Sequence, residues 1–281
     1  MMPGRKHLID LLEIPAHQLP TDDRSPFQRA MAVFRRKHFS PFKAYIRRDL
    51  GLAVCLNPKV GSTAFRSILV EGLKRHDQAP LRGKLWPLNE TRRYMTAPVR
   101  DYFHAFGQPE AYEFFCFVRN PYARVISAWN DKMVRGHREG YSRSMKGLVP
   151  VIKQWAAKEG LPGSEPEEVV PFPTFLSYVE SKPEGQRNQH WDSQVLVLGA
   201  DLITFKGVYD IGTEFAEGMC EVLSRIGIDR DWVAEKVARP QNASGAIREP
   251  VLDEALAERV YQIYKRDFDH FGFDPESWRG K

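Results

Sequence analysis

The stretch Leu52-Ala-Val-Cys-Leu-Asn-Pro-Lys-Val-Gly-Ser-Thr-Ala-Phe-Arg66 constrains this chain more than any other. A short apolar run of strand-forming residues stops at Asn57-Pro58, because proline has no N–H to give to a ladder. Lys59, Gly61 and two hydroxyl residues follow, and then a helical pattern begins. A strand turning through a tight basic loop into a helix leaves the first helical amides pointing outward. The positive end of the helix dipole and the full charge of Lys59 add to them. Such a corner suits an anion, and a phosphorylated or sulfated nucleotide is the leading expectation. The loop is not the G-x-x-x-x-G-K-[ST] loop of ATP-binding enzymes, since Lys59 precedes Gly61 and the upstream glycine is missing. A simpler reading stands beside the anion site: a strand-to-helix turn that Ser62 or Thr63 merely caps.

A second segment repeats the design. Phe114 to Val118 is a continuous apolar run, as expected of a strand buried on both faces of a parallel sheet. Arg119 sits at its carboxyl end. Asn120-Pro121 then breaks the strand, and proline suits the first turn of a helix. Val125, Ile126 and Trp129 follow at helical spacing, with Ser127 eight positions beyond Arg119. An arginine and a serine converging at one strand end can grip a phosphate, because guanidinium pairs with it through charge-assisted, often bidentate, bonds.

Together the two segments resemble the sulfotransferase superfamily that uses 3′-phosphoadenosine 5′-phosphosulfate (PAPS). Pro58-Lys59-Val60-Gly61-Ser62-Thr63 looks like its 5′-phosphosulfate loop. Val118-Arg119-Asn120-Pro121, with Arg124 and Ser127 beyond, looks like its 3′-phosphate motif. The form Arg-Asn-Pro-Tyr-Ala-Arg-Val-Ile-Ser-Ala-Trp most resembles the carbohydrate sulfotransferase branch. Three later segments are similar to that branch: Asn188-Gln-His-Trp-Asp-Ser-Gln194, Val208-Tyr-Asp-Ile-Gly-Thr-Glu-Phe215 and Val260 to Phe273. Where many relatives carry a cysteine pair after the His-Trp motif, this chain reads Val-Leu-Val-Leu-Gly-Ala-Asp. Between Lys74 and Glu113, where acceptor contacts are expected, no segment matches.

The resemblance implies a P-loop-like three-layer α/β fold, a central parallel sheet flanked by helices. Strands alternating with helices point the same way, and ligands then bind at the carboxyl ends of the strands. It also implies sulfuryl transfer from PAPS to a hydroxyl acceptor, with 3′,5′-adenosine bisphosphate (PAP) as product. Such a transfer needs positioning and charge stabilisation above all. Lys59 is expected near the bridging oxygen of the leaving group. The loop Pro58 to Ala64, through the amides of Gly61, Ser62, Thr63 and Ala64, is expected to cradle the 5′-phosphate. Arg119 and Ser127 are expected on the 3′-phosphate, while Arg124 is expected to face solvent from its helix, with help on the 3′-phosphate as the alternative. No metal is expected, because the sulfuryl group carries less charge than a phosphoryl and no carboxylate cluster suits Mg²⁺.

A general base should take the acceptor's proton. His190, beside Trp191, is one candidate, with Trp191 as a sugar platform; a packed structural histidine is the competing reading. His104 is the second candidate, and Glu90 and Glu113 are weaker ones. A saccharide is the favoured acceptor. Two other functions compete: a nucleotide-dependent phosphotransferase, and a binding protein that kept the anion pocket without turnover.

The 281 residues and a hydrophobic fraction of 42% allow one sizeable core. Residues 1–50 read as a basic arm and 51–281 as the sulfotransferase domain. The arm holds ten Lys/Arg and five Asp/Glu, which equals the net excess of +5. A solvated arm is the favoured reading, with peripheral contact to a membrane surface as the alternative. That modest charge, with no recognised module, argues against nucleic-acid binding. Cys55, Cys116 and Cys220 are too few and too widely spaced for a disulfide framework or zinc site, so a reducing cytoplasm is expected. No run of some 18 apolar residues spans a membrane. Helices are expected over Arg24–Lys37, Thr63–Arg75, Pro121–Val134, Phe172–Glu180 (with Thr174 as cap), Thr213–Ile226 and Glu249–Phe268. Further expectations are a strand over Leu202–Tyr209, a flexible basic stretch over Gly136–Gly147 and a surface loop or lid over Lys158–Pro173.

Overall fold

Each apolar run becomes a strand, and the runs line up side by side. The computed structural model describes residues 44–76, 97–239 and 252–279, with residues 25, 28, 30, 31, 94, 95 and 250. Among them, β1 (Ala44–Arg47), β2 (Leu52–Cys55), β3 (Glu113–Val118) and β4 (Gly207–Asp210) form one sheet in that spatial order. β2, β3 and β4 are parallel, with Cys55 opposite Cys116 and Val118 opposite Asp210. β1 is antiparallel to β2. The arm expected over residues 1–50 therefore yields its last residues to the sheet. Its strand reads only Ala-Tyr-Ile-Arg between charged flanks, too short an apolar run to stand out. The helix expected over Arg24–Lys37 and the candidate Glu90 lie outside the described residues.

The helices are α1 (Ser62–Arg75), α2 (Val99–Gly107), α3 (Pro121–Trp129), α4 (Gly136–Glu139) and α5 (Arg143–Lys158), then α6 (Phe172–Glu180), α7 (Gln194–Leu198), α8 (Phe215–Ser224), α9 (Arg230–Ala238) and α10 (Glu254–Phe271). Alternation along the strands builds the layers, because successive side chains point to opposite faces. Leu52, Val54, Phe115 and Phe117 pack on one face with α1, α8 and α9. Ala53, Cys55, Phe114, Cys116 and Val118 pack on the other with α2 and α7. A third cluster, with no strand in it, joins α3, α5, α6 and α10 around Trp191 and Tyr264. The result is the expected α/β three-layer arrangement, extended by a helical lobe on the α3 side.

Several local expectations change. α3 ends at Trp129 and gives way to a π-helical turn, Asn130–Arg135, rather than running on to Val134. Most of the stretch expected to be flexible, Gly136–Gly147, is helical, all but residues 140–142, and α5 forms with Pro150 inside it. Thr174 is not a cap: Pro171 opens α6, and the Thr174 hydroxyl donates to Pro162 O at 3.0 Å. The 158–173 stretch is pinned. The buried Lys153 ammonium donates to Glu165 O, Pro166 O and Glu168 O, and Trp129 Nε1 donates to Val170 O at 2.8 Å. Those bonds satisfy the loop's carbonyls from below, which an opening lid would forfeit.

Candidate functional site

The loop leaving β2 is held in an unusual backbone shape. Lys59 and Gly61 both adopt left-handed φ values of 71°. For lysine that conformation costs of the order of 1 kcal/mol or more, so the surroundings must enforce it. At Gly61 a Cβ would come within 3.0 Å of the Phe215 ring, which leaves room only for glycine. Val60 between them is buried and anchors the loop to the core. α1 then starts at Ser62 with no side-chain cap. Among the described residues nothing accepts a hydrogen bond from the amides of Ser62, Thr63 or Ala64; the first helical bond runs from Phe65 N to Gly61 O. The simple capping role for Ser62 or Thr63 is therefore not realised, and the donors of the first turn stay available.

The loop leaving β3 meets the first one. Asn120 caps α3 by accepting from Tyr122 N, and Pro121 takes the first helical position. Arg119 reaches back so that Nη1 donates to Lys59 O at 3.4 Å. Two further side chains lock the corners together. Gln194 Oε1 accepts from both Asn57 Nδ2 (2.9 Å) and Arg119 N (3.0 Å), and Nε2 donates to Arg119 O (2.8 Å). Arg124 is fully buried instead of facing solvent. Its guanidinium donates to Pro58 O, Asn57 Oδ1, Gln189 O and Asp192 O. Arg124 thus ties the lysine loop, the arginine helix and the Gln189–Asp192 segment into one cleft. Asp267 of α10 holds that segment from behind, accepting from Ser193 Oγ, Gln194 N and Val195 N.

Charge gathers beside Lys59. Lys59 Nζ lies 2.8 Å from Asp131 Oδ2, and Lys132 Nζ lies 2.7 Å from the same oxygen, with Arg135 on the other one. Burial lowers the Lys59 ammonium to about 8; Asp131 opposes the fall, while Lys132 and Arg135 add to it. Burial alone would raise Asp131, but hydrogen bonds from Lys132 and Lys59 outweigh it and hold the carboxyl well below the usual range. Ser127 lies on α3 three positions beyond Arg124, near one turn along the same side of that helix, and is half-buried.

A sulfotransferase family model matches residues 43–274. The chain belongs to the sulfotransferase family. It is also 26% identical over 172 residues to carbohydrate sulfotransferase 12 of Mus musculus, a match covering 58% of this chain and 40% of that protein. The chain thus spans about two fifths of the length of that curated relative. No solved structure gives a significant match.

In this family member the loop from Pro58 to Ala64 and Arg119 come to neighbouring positions at the carboxyl ends of β2 and β3, while Ser127 lies two turns into α3. His190 is beside them, because the backbone on either side of it, at Gln189 and Asp192, is bound to Arg124. Asn188 Oδ1 accepts from His190 N and lies 2.7 Å from Nδ1. With Nδ1 protonated toward that oxygen, Nε2 is the basic nitrogen. Trp191 is no sugar platform: it is buried and packs edge-on to Phe175 at 5.1 Å. His104 does not join the site. It lies in the last turn of α2, with Nδ1 3.0 Å from Tyr112 Oη, before the start of β3. The length of β3 separates it from Arg119 by on the order of 20 Å. Glu113 sits at that same amino end, paired with Lys206 and Arg225. Sequence reading missed Asn57, Asp131, Gln194 and Asp267. Asn57, Gln194 and Asp267 all lie in segments singled out above for other reasons, but nothing in their spacing showed that they would pair.

Among the described residues no group of three or more His, Cys, Asp or Glu could hold a metal ion, and no helix is long and apolar enough to cross a membrane.

Proposed function

We propose that this chain moves the sulfuryl group of PAPS to a hydroxyl of a saccharide by in-line displacement without a metal. The contact of Arg119 with the Lys59 carbonyl supports the reading best, since it sets two phosphate-gripping corners side by side in one cleft. In this scheme the amides of Gly61, Ser62, Thr63 and Ala64 hold the 5′-phosphate, and Arg119 with Ser127 holds the 3′-phosphate. Lys59 offsets the charge that builds on the bridging oxygen as the S–O bond breaks. His190 Nε2 takes the acceptor's proton as the new S–O bond forms. The likeness to a carbohydrate sulfotransferase favours a sugar hydroxyl.

Thermal shift with PAP, set against ATP with magnesium, tests the donor. Strong stabilisation by PAP alone is expected; an equal or larger shift with ATP and magnesium favours the phosphotransferase reading. Transfer of radiolabelled sulfate from PAPS to a panel of saccharides tests turnover. PAP binding without transfer to any of them would favour a binding protein.

A further inference from the structure

Asp131 has no part in the scheme above, yet it pairs directly with Lys59 of the anion loop. Its carboxylate faces Lys59, Lys132 and Arg135. Arg119 and Arg124 reach the same loop from behind, at Lys59 O and Pro58 O. The ion pair is secluded, with 15% of the Lys59 side chain and 11% of the Asp131 side chain exposed. The backbone aims the carboxylate: α3 changes to a π-helical turn at Asn130, so Asp131, Lys132 and Arg135 all belong to that one turn.

A carboxylate beside the lysine of an anion site opposes the ligand. Its presence needs a compensating role in the empty cleft. A buried ammonium among other cations is costly to keep charged without an anion beside it.

We propose that Asp131 is a positioning residue that stands in for the donor's anion, keeping the Lys59 ammonium charged and in place in the empty cleft and releasing it to the donor. The inference rests on the donor reading above for the release. After the exchange Lys132 and Arg135 keep Asp131 paired, so no uncompensated carboxylate remains beside the bound anion. Lys59 stands at about 8 even with Asp131 beside it, and Asp131 is what opposes the fall.

Asp131→Asn tests this without any nucleotide. Lys59 acylation, followed by peptide mass spectrometry across pH, reads its titration midpoint. The midpoint is expected to drop below about 8 in Asp131→Asn and to rise in Lys132→Met, a second variant that keeps the carboxylate. An unmoved midpoint in either folded variant overturns the proposal. PAP affinity supplies the second readout. Asp131→Asn is expected to bind PAP more tightly than the unaltered protein at pH 6, where Lys59 is charged in both, and more weakly at pH 8.5. Uniform weakening at both pH values would mark Asp131 as merely structural and overturn the release. A shifted midpoint in a protein that binds no PAP at all would sink the donor reading while supporting the hold of Asp131 on Lys59.

Discussion

Gln194 grips both backbone groups of Arg119, donating from Nε2 to Arg119 O at 2.8 Å and accepting at Oε1 from Arg119 N at 3.0 Å. The side-chain amide continues the ladder where β3 runs out, and it adds Asn57 to the same oxygen. Gln194 is wholly buried, so no water replaces it. Gln194→Ala should leave several buried polar groups unpaired and cost about 2–3 kcal/mol. PAP affinity should fall with it, because the two corners lose their common fastening. Urea denaturation and calorimetric titration check both; a stable variant with unaltered affinity would show that the clasp is redundant.

Arg124 makes the next prediction. Its guanidinium serves four acceptors from two other segments in a buried setting. A lysine has three donors on one flexible point and cannot span that fork. Arg124→Lys should therefore destabilise the protein by about 3 kcal/mol, in the range for breaking a buried network. A melting temperature unchanged from that of the unaltered protein would contradict this.

β2, β3 and the strand-to-helix loops that follow them were legible in sequence because each is a local pattern. Leu52–Cys55 and Phe114–Val118 are uninterrupted apolar runs ended by Asn-Pro, and each corner follows within a few residues. What joins the corners was not legible. Gln194 is 137 residues from Asn57 and 75 from Arg119, and Arg124 is 68 from Asp192. Pairings of that range leave no periodicity or spacing to read. Asp131 was hidden for another reason: Val134 continues the helical apolar pattern, so nothing announces the π turn that brings the carboxylate to Lys59. β1 and α5 were lost to composition, one to a short charged strand and the other to an internal proline.

The two histidines separate cleanly. His190→Ala should lower kcat by about 10²–10⁴-fold, the usual contribution of general base catalysis, with little change in PAP affinity. His104→Ala should leave transfer intact and cost about 1 kcal/mol of stability, from the lost bond to Tyr112. Steady-state kinetics with the sulfate-transfer assay decides. A His190→Ala enzyme at full rate would return that histidine to a packing role.

The cations of the donor corners should split by step. Lys59→Ala should abolish transfer, since its ammonium is assigned to the leaving group. Arg119→Ala should chiefly raise the PAP dissociation constant. Full turnover in Lys59→Ala, or unaltered affinity in Arg119→Ala, would remove the respective assignment.

Donor affinity should depend on pH through Lys59, which burial lowers to about 8. Below that value the empty site already carries the ammonium, and anion binding takes up no proton there. Above it the site is neutral at Lys59, and binding must recapture the proton, so affinity should fall by up to about tenfold per pH unit. The phosphate second pKa near 6 leaves the ligand's charge constant across this window. For the fold the sign is opposite. The unfolded chain keeps its Lys59 proton up to 10.5, so between about 8 and 10.5 it binds more protons, and this lysine's share of stability rises with pH. Calorimetry of PAP binding in two buffers of different ionisation enthalpy should detect proton uptake above about pH 8, and Lys59→Met should abolish it. A PAP affinity independent of pH from about pH 7 to about pH 9.5 in the unaltered protein would take Lys59 out of the donor site.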